Sequence, residues 1–141
     1  SMIQPTQELL VSGILERFQN MRVLIAEGGV GWIPFILQLG DRKAGGFDSD
    51  SMKLSRTELF QRHCIAGFWR ERVDDYVLDI CGNHTIAWEQ DYPHPLSIWP
   101  ECDEAVAYSM SSVKEEPLRQ KLLWGNLARH FNLSVEKNLS T

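Results

Sequence analysis

Three short apolar runs, each set between helix-like segments, constrain this chain more than any other feature. They are Arg22 to Ala26 (RVLIA), Cys64 to Trp69 (CIAGFW) and Thr85 to Glu89 (TIAWE). Each is short and β-favouring, so each reads as a buried strand, the first stopping at the turn Glu27–Gly28–Gly29. Strands alternating with amphipathic helices pair in parallel, because a parallel partner is reached only by a crossover, and the crossover helices then pack on the sheet. The fold class expected is α/β.

The helical segments follow from spacing and caps. Leu9, Leu10, Gly13, Ile14, Leu15 and Phe18 recur at steps of three and four, predicting one helix over Thr6 to Phe18. Pro34 to Arg42 predicts a second, with Pro34 in the first turn, where its missing N–H costs nothing. Ser55-Arg-Thr-Glu58 has the capping-box form and opens a helix to His63. Val73 to Ile80 and Cys102 to Met110 complete the set before the closing segment. There, Ser112-Val-Lys-Glu115 has a second capping-box form ahead of a helix over Pro117 to Trp124. Leu118, Leu122, Leu123, Leu127 and Phe131 line one side, and Gly125–Asn126 is expected to split the segment into two helices. Gly40 to Ser51 is the one polar, glycine-rich stretch and reads as a loop.

Composition removes several function classes. A net charge of -5 and a pI near 5.3 give no clustered cation to meet a phosphate backbone, so nucleic acid is not an expected partner. No apolar run approaches the ~20 residues of a membrane span, and the N-terminus has no basic flank with a signal core, so no membrane is expected and a cytoplasmic location is. Cys64, Cys81 and Cys102 are odd in number and form no CxxC pair, which points to neither a disulfide framework nor a zinc knuckle. The N-x-S/T forms at Asn83, Asn132 and Asn138 are read as chance. Ser1 ahead of Met2 is read as a residue left by tag cleavage, with Met2 the natural start, and residues 1–141 as a single domain.

Three stretches taken in order carry a resemblance: RVLIAEGGVGWIPFILQLGDR (Arg22 to Arg42), TIAWEQDYPHPLSIWPE (Thr85 to Glu101) and KLLWGNLARHFNL (Lys121 to Leu133). Together they resemble the last third of the amidohydrolase-related family, metal-dependent TIM-barrel hydrolases and decarboxylases that include the aminocarboxymuconate-semialdehyde decarboxylase-like enzymes. The resemblance implies a partial TIM barrel, three parallel strands standing where the barrel has its sixth to eighth, with flanking helices. A whole barrel has eight strands and at least about 200 residues.

It implies a site as well. Asp91 stands where the family places a final-strand acid that binds metal or moves a proton, and Glu27 where many members place a strand-six histidine. The family's H-x-H pair is absent, so a divalent metal such as zinc, which usually takes at least three protein ligands at about 2.0–2.3 Å, would have one carried-over ligand, Asp91. Glu27 and Asp91, if they end neighbouring parallel strands, are expected to face one crevice. His94, held between Pro93 and Pro95, is a candidate third donor or substrate contact, and Trp32 and Trp88 are candidate stacking surfaces. Each has a plainer alternative. Carboxylates at strand ends accept N–H bonds from their own turns, loop histidines bond backbone, and tryptophans fill cores. His63, beside Cys64, is read as structural, and His84 and His130 belong to no constellation.

Two functions stay open: a barrel remnant, inactive alone and at most binding a small molecule, or one subunit of a composite metal-dependent hydrolase or decarboxylase acting on a small carboxylated or cyclic substrate. Either predicts company. Three strands cut from a barrel have two unpaired edges and an uncovered face, which a homodimer, or a separate chain supplying the missing strands, would cover.

Overall fold

The computed structural model describes residues 2–41 and 52–134. The chain order is α1 (Ile3–Val11), α2 (Ile14–Arg17), β1 (Val23–Ile25), α3 (Ile33–Asp41), α4 (Arg56–His63), β2 (Cys64–Phe68), α5 (Asp75–Cys81) and β3 (Ile86–Trp88). Then come α6 (Cys102–Ser109), α7 (Glu116–Gln120), a π-helical turn over Lys121–Gly125, and α8 (Asn126–His130). The three strands form one parallel sheet in the order β1-β2-β3, with Leu24 opposite Ile65 and Gly67 opposite Ala87. A parallel sheet in sequence order, crossed over by helices, is an arc of a βα barrel.

Alternation along the strands sorts the two faces. Val23, Ile25, Cys64, Ala66, Phe68, Ile86 and Trp88 belong to, or pack against, the main core with Leu37, Leu59, Phe60 and Val77 from the crossover helices. Leu24, Ile65, Gly67 and Ala87 take the other face, the one that would line a barrel. That face is not uniformly open: Ile65 is 0% and Ala87 4% exposed, whereas Leu24 is 46% exposed.

Ser55 caps α4 as its sequence predicts. Its Oγ accepts from Glu58 N–H at 3.1 Å, while the Glu58 carboxylate accepts from Ser55 N–H at 2.8 Å and Ser55 O–H at 2.9 Å, and the latter two bonds hold the Glu58 carboxyl below its ordinary pKa. Three expectations are corrected. The single helix over Thr6 to Phe18 is two, because Gly13 adopts φ 74°, a left-handed value that ends α1, and Ser12 Oγ turns back to donate to Leu9 C=O. The Ser112–Glu115 box does not form: α7 starts after Glu115, with no side-chain cap. Gly125 does not split the closing segment, since it and Asn126 keep helical dihedrals and the strain is taken up as the π-helical turn. The Gly40 to Ser51 loop lies, from residue 42 on, outside the described residues.

That π-helical turn has a structural purpose. It rotates Asn126, only 2% exposed, so that its Nδ2 donates to Asn83 C=O at 2.7 Å and Ile86 C=O at 2.8 Å. In the parallel ladder Ala66 N–H bonds Thr85 C=O and Glu89 N–H bonds Phe68 C=O, so Ile86 points to the outer edge of β3. Asn126 therefore caps an edge carbonyl of the sheet from the side. On α8 the His130 ring is buried, its Nε2 without a hydrogen-bond partner; burial, then Arg22 and Arg129, hold its pKa down.

Candidate functional site

The carboxyl ends of all three strands carry acids. Glu27 follows β1, Glu71 follows β2, and Glu89 and Asp91 follow β3. Glu27 and Asp91 both take left-handed backbone, φ 56° and φ 62°, which turns the chain sharply away from the sheet just past its end. The two acids singled out by sequence thus end the two outer strands of one parallel sheet, with β2 between them, and not neighbouring strands.

Glu89 is the residue that joins them. Its side chain lies on the face of Ala87 and folds back over Gly67, where a Cβ would fall 2.2 Å from the carboxyl carbon. A side chain at that position of the central strand would displace the Glu89 carboxyl. From there Glu89 Oε1 accepts the Glu27 N–H at 2.7 Å, tying the end of β3 to the turn after β1. Burial raises the Glu89 pKa most, the Glu27 N–H opposes this, and the charges of Glu27, Glu71 and Asp91 raise it further. Glu71 makes a parallel tie. Its Oε1 accepts Val30 N–H at 2.7 Å and its Oε2 accepts Trp69 N–H at 3.2 Å, linking the loops after β1 and β2.

The Glu89 shift fixes a pH response. Because the folded-state carboxyl holds its proton to higher pH than the ordinary 4.5, stability from this group is fully present below that value and is lost as pH rises through the folded pKa. Glu89→Gln keeps an oxygen for Glu27 N–H and removes the charge. Thermal midpoints between pH 4.5 and 8 are expected to fall more steeply for the parent than for Glu89→Gln, with the variant the more stable at pH 8. Parallel curves would show that Glu89 ionises without cost.

Asp91 and His94 are brought together: Asp91 Oδ2 lies 3.0 Å from His94 Nδ1, with the histidine side chain 53% and the aspartate 18% exposed. The contact is a close approach and not an aligned hydrogen bond, since Oδ2 is buried without a hydrogen-bond partner and His94 Nδ1 accepts Leu96 N–H at 3.3 Å. Trp32 donates its indole N–H to Gly28 C=O at 2.7 Å and, with Met2, Ile3, Ala26, Glu27 and Gly28, lines a cleft of about 400 Å³ beyond β1. Trp88 is placed differently. It packs against the main core on the helix-covered face, its indole N–H buried without a partner.

The other sequence candidates fall into structural roles. His63 Nδ1 is 3.0 Å from Met21 C=O and His84 Nε2 is 3.1 Å from Gln61 C=O. Burial pushes the Cys64 and Cys81 thiols up to about 12, so neither is a thiolate at neutral pH. Sequence reasoning passed over Glu71 and Glu89. For Glu89 the signal was present: an acid in register with the inward face of a strand, diagonal to a glycine.

Among the described residues, no group of three or more His, Cys, Asp or Glu is arranged to hold a metal ion. Glu71 and Glu89 spend oxygens on loop N–H groups, and Asp91 approaches only His94, so the acids present do not converge on a metal site on their own. No helix among the described residues is long and apolar enough to cross a membrane.

No protein-family model and no curated protein matches the chain. Solved structures do. A 5-carboxyvanillate decarboxylase from Sphingomonas paucimobilis superposes on 91% of this chain with TM-score 0.67 at 21% identity. A dihydroxybenzoic acid decarboxylase from Polaromonas, with manganese and the inhibitor 2-nitroresorcinol bound, covers 96% with TM-score 0.71 at 17% identity. A 2,6-dihydroxybenzoate decarboxylase from Rhizobium covers 91% with TM-score 0.69 at 16% identity. The chain has the fold of part of these decarboxylases. It spans 38%, 41% and 40% of their lengths respectively, so the α/β partial barrel is the shared feature.

Proposed function

We propose that this chain is an amidohydrolase-like barrel fragment that binds a small phenolic molecule at the carboxyl ends of its strands, acts as an oligomer, and performs no decarboxylation alone. The cleft lined by Glu27 and Trp32 carries the reading: its volume of about 400 Å³ is sized for a single aromatic ring. The charge of the site decides between ring types. With Glu27 lining the cleft and Glu71, Glu89 and Asp91 at the same end of the sheet, a benzoate entering without a cation meets repulsion, whereas a neutral phenol donates a hydrogen bond to the Glu27 carboxylate.

The similarity to a structure holding 2-nitroresorcinol supports this class of ligand. A direct test is calorimetric titration with resorcinol and with 2,6-dihydroxybenzoate, alongside an assay for released carbon dioxide. Binding of resorcinol, weakened at least about tenfold in Trp32→Ala, is expected, with no carbon dioxide from the benzoate. Turnover of the benzoate by the chain alone would overturn the reading.

A second reading keeps the chain as one subunit of a composite metal-dependent hydrolase or decarboxylase, with Asp91 and Glu27 its contribution and the remaining ligands from another polypeptide. The bound manganese of a similar structure favours it. Metal analysis after purification without chelator separates the two. Stoichiometric zinc or manganese that is lost in Asp91→Ala supports the composite site.

A further inference from the structure

The sheet has two edges, and they are not equivalent. On β3 the outward carbonyl of Ile86 is taken by Asn126, and the π-helical turn packs along the strand. On β1 the register with β2 turns Val23 and Ile25 inward to the ladder and leaves Leu24 pointing outward. Among the described residues nothing meets the Leu24 N–H or C=O, and its side chain is 46% exposed. This edge carries no proline or bulge; its short length, Val23–Ile25, and the charge of Arg22 at its start are what limit pairing along it. Closing a cylinder requires two open edges. Extending a sheet requires one.

The geometry points to a second copy of this chain as the occupant of that edge, pairing β1 antiparallel with β1 about a two-fold axis at Leu24 to give a continuous six-stranded sheet. This rests on the reading above that the chain works as an oligomer. Outward residues alternate, so Leu24 faces Leu24 of the other copy, and Arg22 faces Ala26 with Glu27 next to it. Each Arg22 is thereby brought beside a Glu27 of opposite charge twice over, a complementarity that a two-fold axis requires of a self-pairing strand. Phe18 and Met21, both exposed, stand just before the strand, and Met21 C=O is bonded to His63 beneath it. The edge therefore continues into apolar surface rather than ending at three residues.

Sedimentation equilibrium at micromolar concentration tests this on the full chain. Twice the 16.2 kDa chain mass is expected for the parent. Leu24→Lys, which places like charges face to face while leaving the bonds to β2 intact, is expected to raise the dissociation constant at least about a hundredfold with an unchanged far-ultraviolet spectrum. A Leu24→Cys, Cys102→Ser double variant supplies the second measurement, independent of how well Leu24→Lys folds. Opposed Cα atoms of about 5.5 Å across a paired position permit a disulfide, so mild oxidation is expected to yield a covalent dimer. The same thiol placed at Tyr76 on α5 is expected to give none. A dimer indifferent to Leu24→Lys that forms no crosslink at position 24 would overturn this interface and leave the oligomer reading standing. A species of 16.2 kDa at every concentration would overturn both.

Discussion

Phe68→Ala is expected to remove about 3–5 kcal/mol of folding free energy, the usual cost of deleting a buried phenylalanine ring. Phe68 is 0% exposed, ends the central strand, and faces the helix-covered core. Both lateral neighbours of β2 are strands, so the backbone around the cavity has little freedom to collapse, which places the cost toward the upper part of the range. Domains of this size are stable by roughly 5–15 kcal/mol, so the variant sits near the threshold of folding. With a urea slope of about 1–3 kcal/mol per molar, the unfolding midpoint is expected to drop by 1 M or more, where 1 M is an order-of-magnitude figure. Phe35→Ala is the contrast: that ring is 66% exposed on α3, and its loss is expected to change stability by no more than about 0.5 kcal/mol. Equal losses at the two positions would show that the core has been placed wrongly.

The second large effect belongs to Asn126. Its amide satisfies two carbonyls, and one of them, that of Ile86, lies on the edge of the sheet. Asn126→Asp keeps the shape but presents acceptors and a charge where donors are needed, so both carbonyls lose their partner and a buried carboxylate faces them. The expected loss is about 2–5 kcal/mol, from two unmade hydrogen bonds plus the cost of a buried charge. Asn126→Ala is expected to lose less, about 2–3 kcal/mol, because it adds no charge. Urea unfolding ranks the pair. Hydrogen exchange adds a positional readout, since amides of β3 are expected to lose protection before those of β2. If Asn126→Ala proves neutral, the carbonyls find water and the edge needs no cap.

Much of the fold was legible in the sequence because its signals are local. The three strands appear where apolar β-favouring runs lie, and α4 starts at the capping box of Ser55 and Glu58. Local signals failed where another interaction outbid them. The periodicity from Thr6 to Phe18 ran through Gly13, but nothing in an apolar spacing shows that a glycine will take φ 74°. Ser112 and Glu115 matched a box by spacing, yet the chain there is fixed by Val113 entering the core, and α7 begins afterwards. At Gly125 the glycine read as a breaker, while Asn126 gains two buried bonds by keeping the helix and widening its turn.

The site divides in the same manner. Glu27 and Asp91 were recognisable as acids ending strands, and the structure places both at the carboxyl ends of one sheet. The contact between Asp91 and His94 depends on a left-handed turn at Asp91. The central part of Glu89 depends on register: only when β2 and β3 pair with Gly67 opposite Ala87 does the missing side chain of Gly67 open room for the carboxyl to reach Glu27 N–H.

By itself, then, the sequence determined the α/β alternation, the parallel sense of the strands and the acids at their ends, because these follow from side-chain period, crossover length and residue type along the chain. Tertiary structure decided which edge is capped, which face is covered, and which acid bridges the site. Those outcomes depend on distances between residues 40 to 62 positions apart, Ile86 to Asn126 and Glu27 to Glu89 among them, and a register shift of one residue moves the side chains of a strand to its other face.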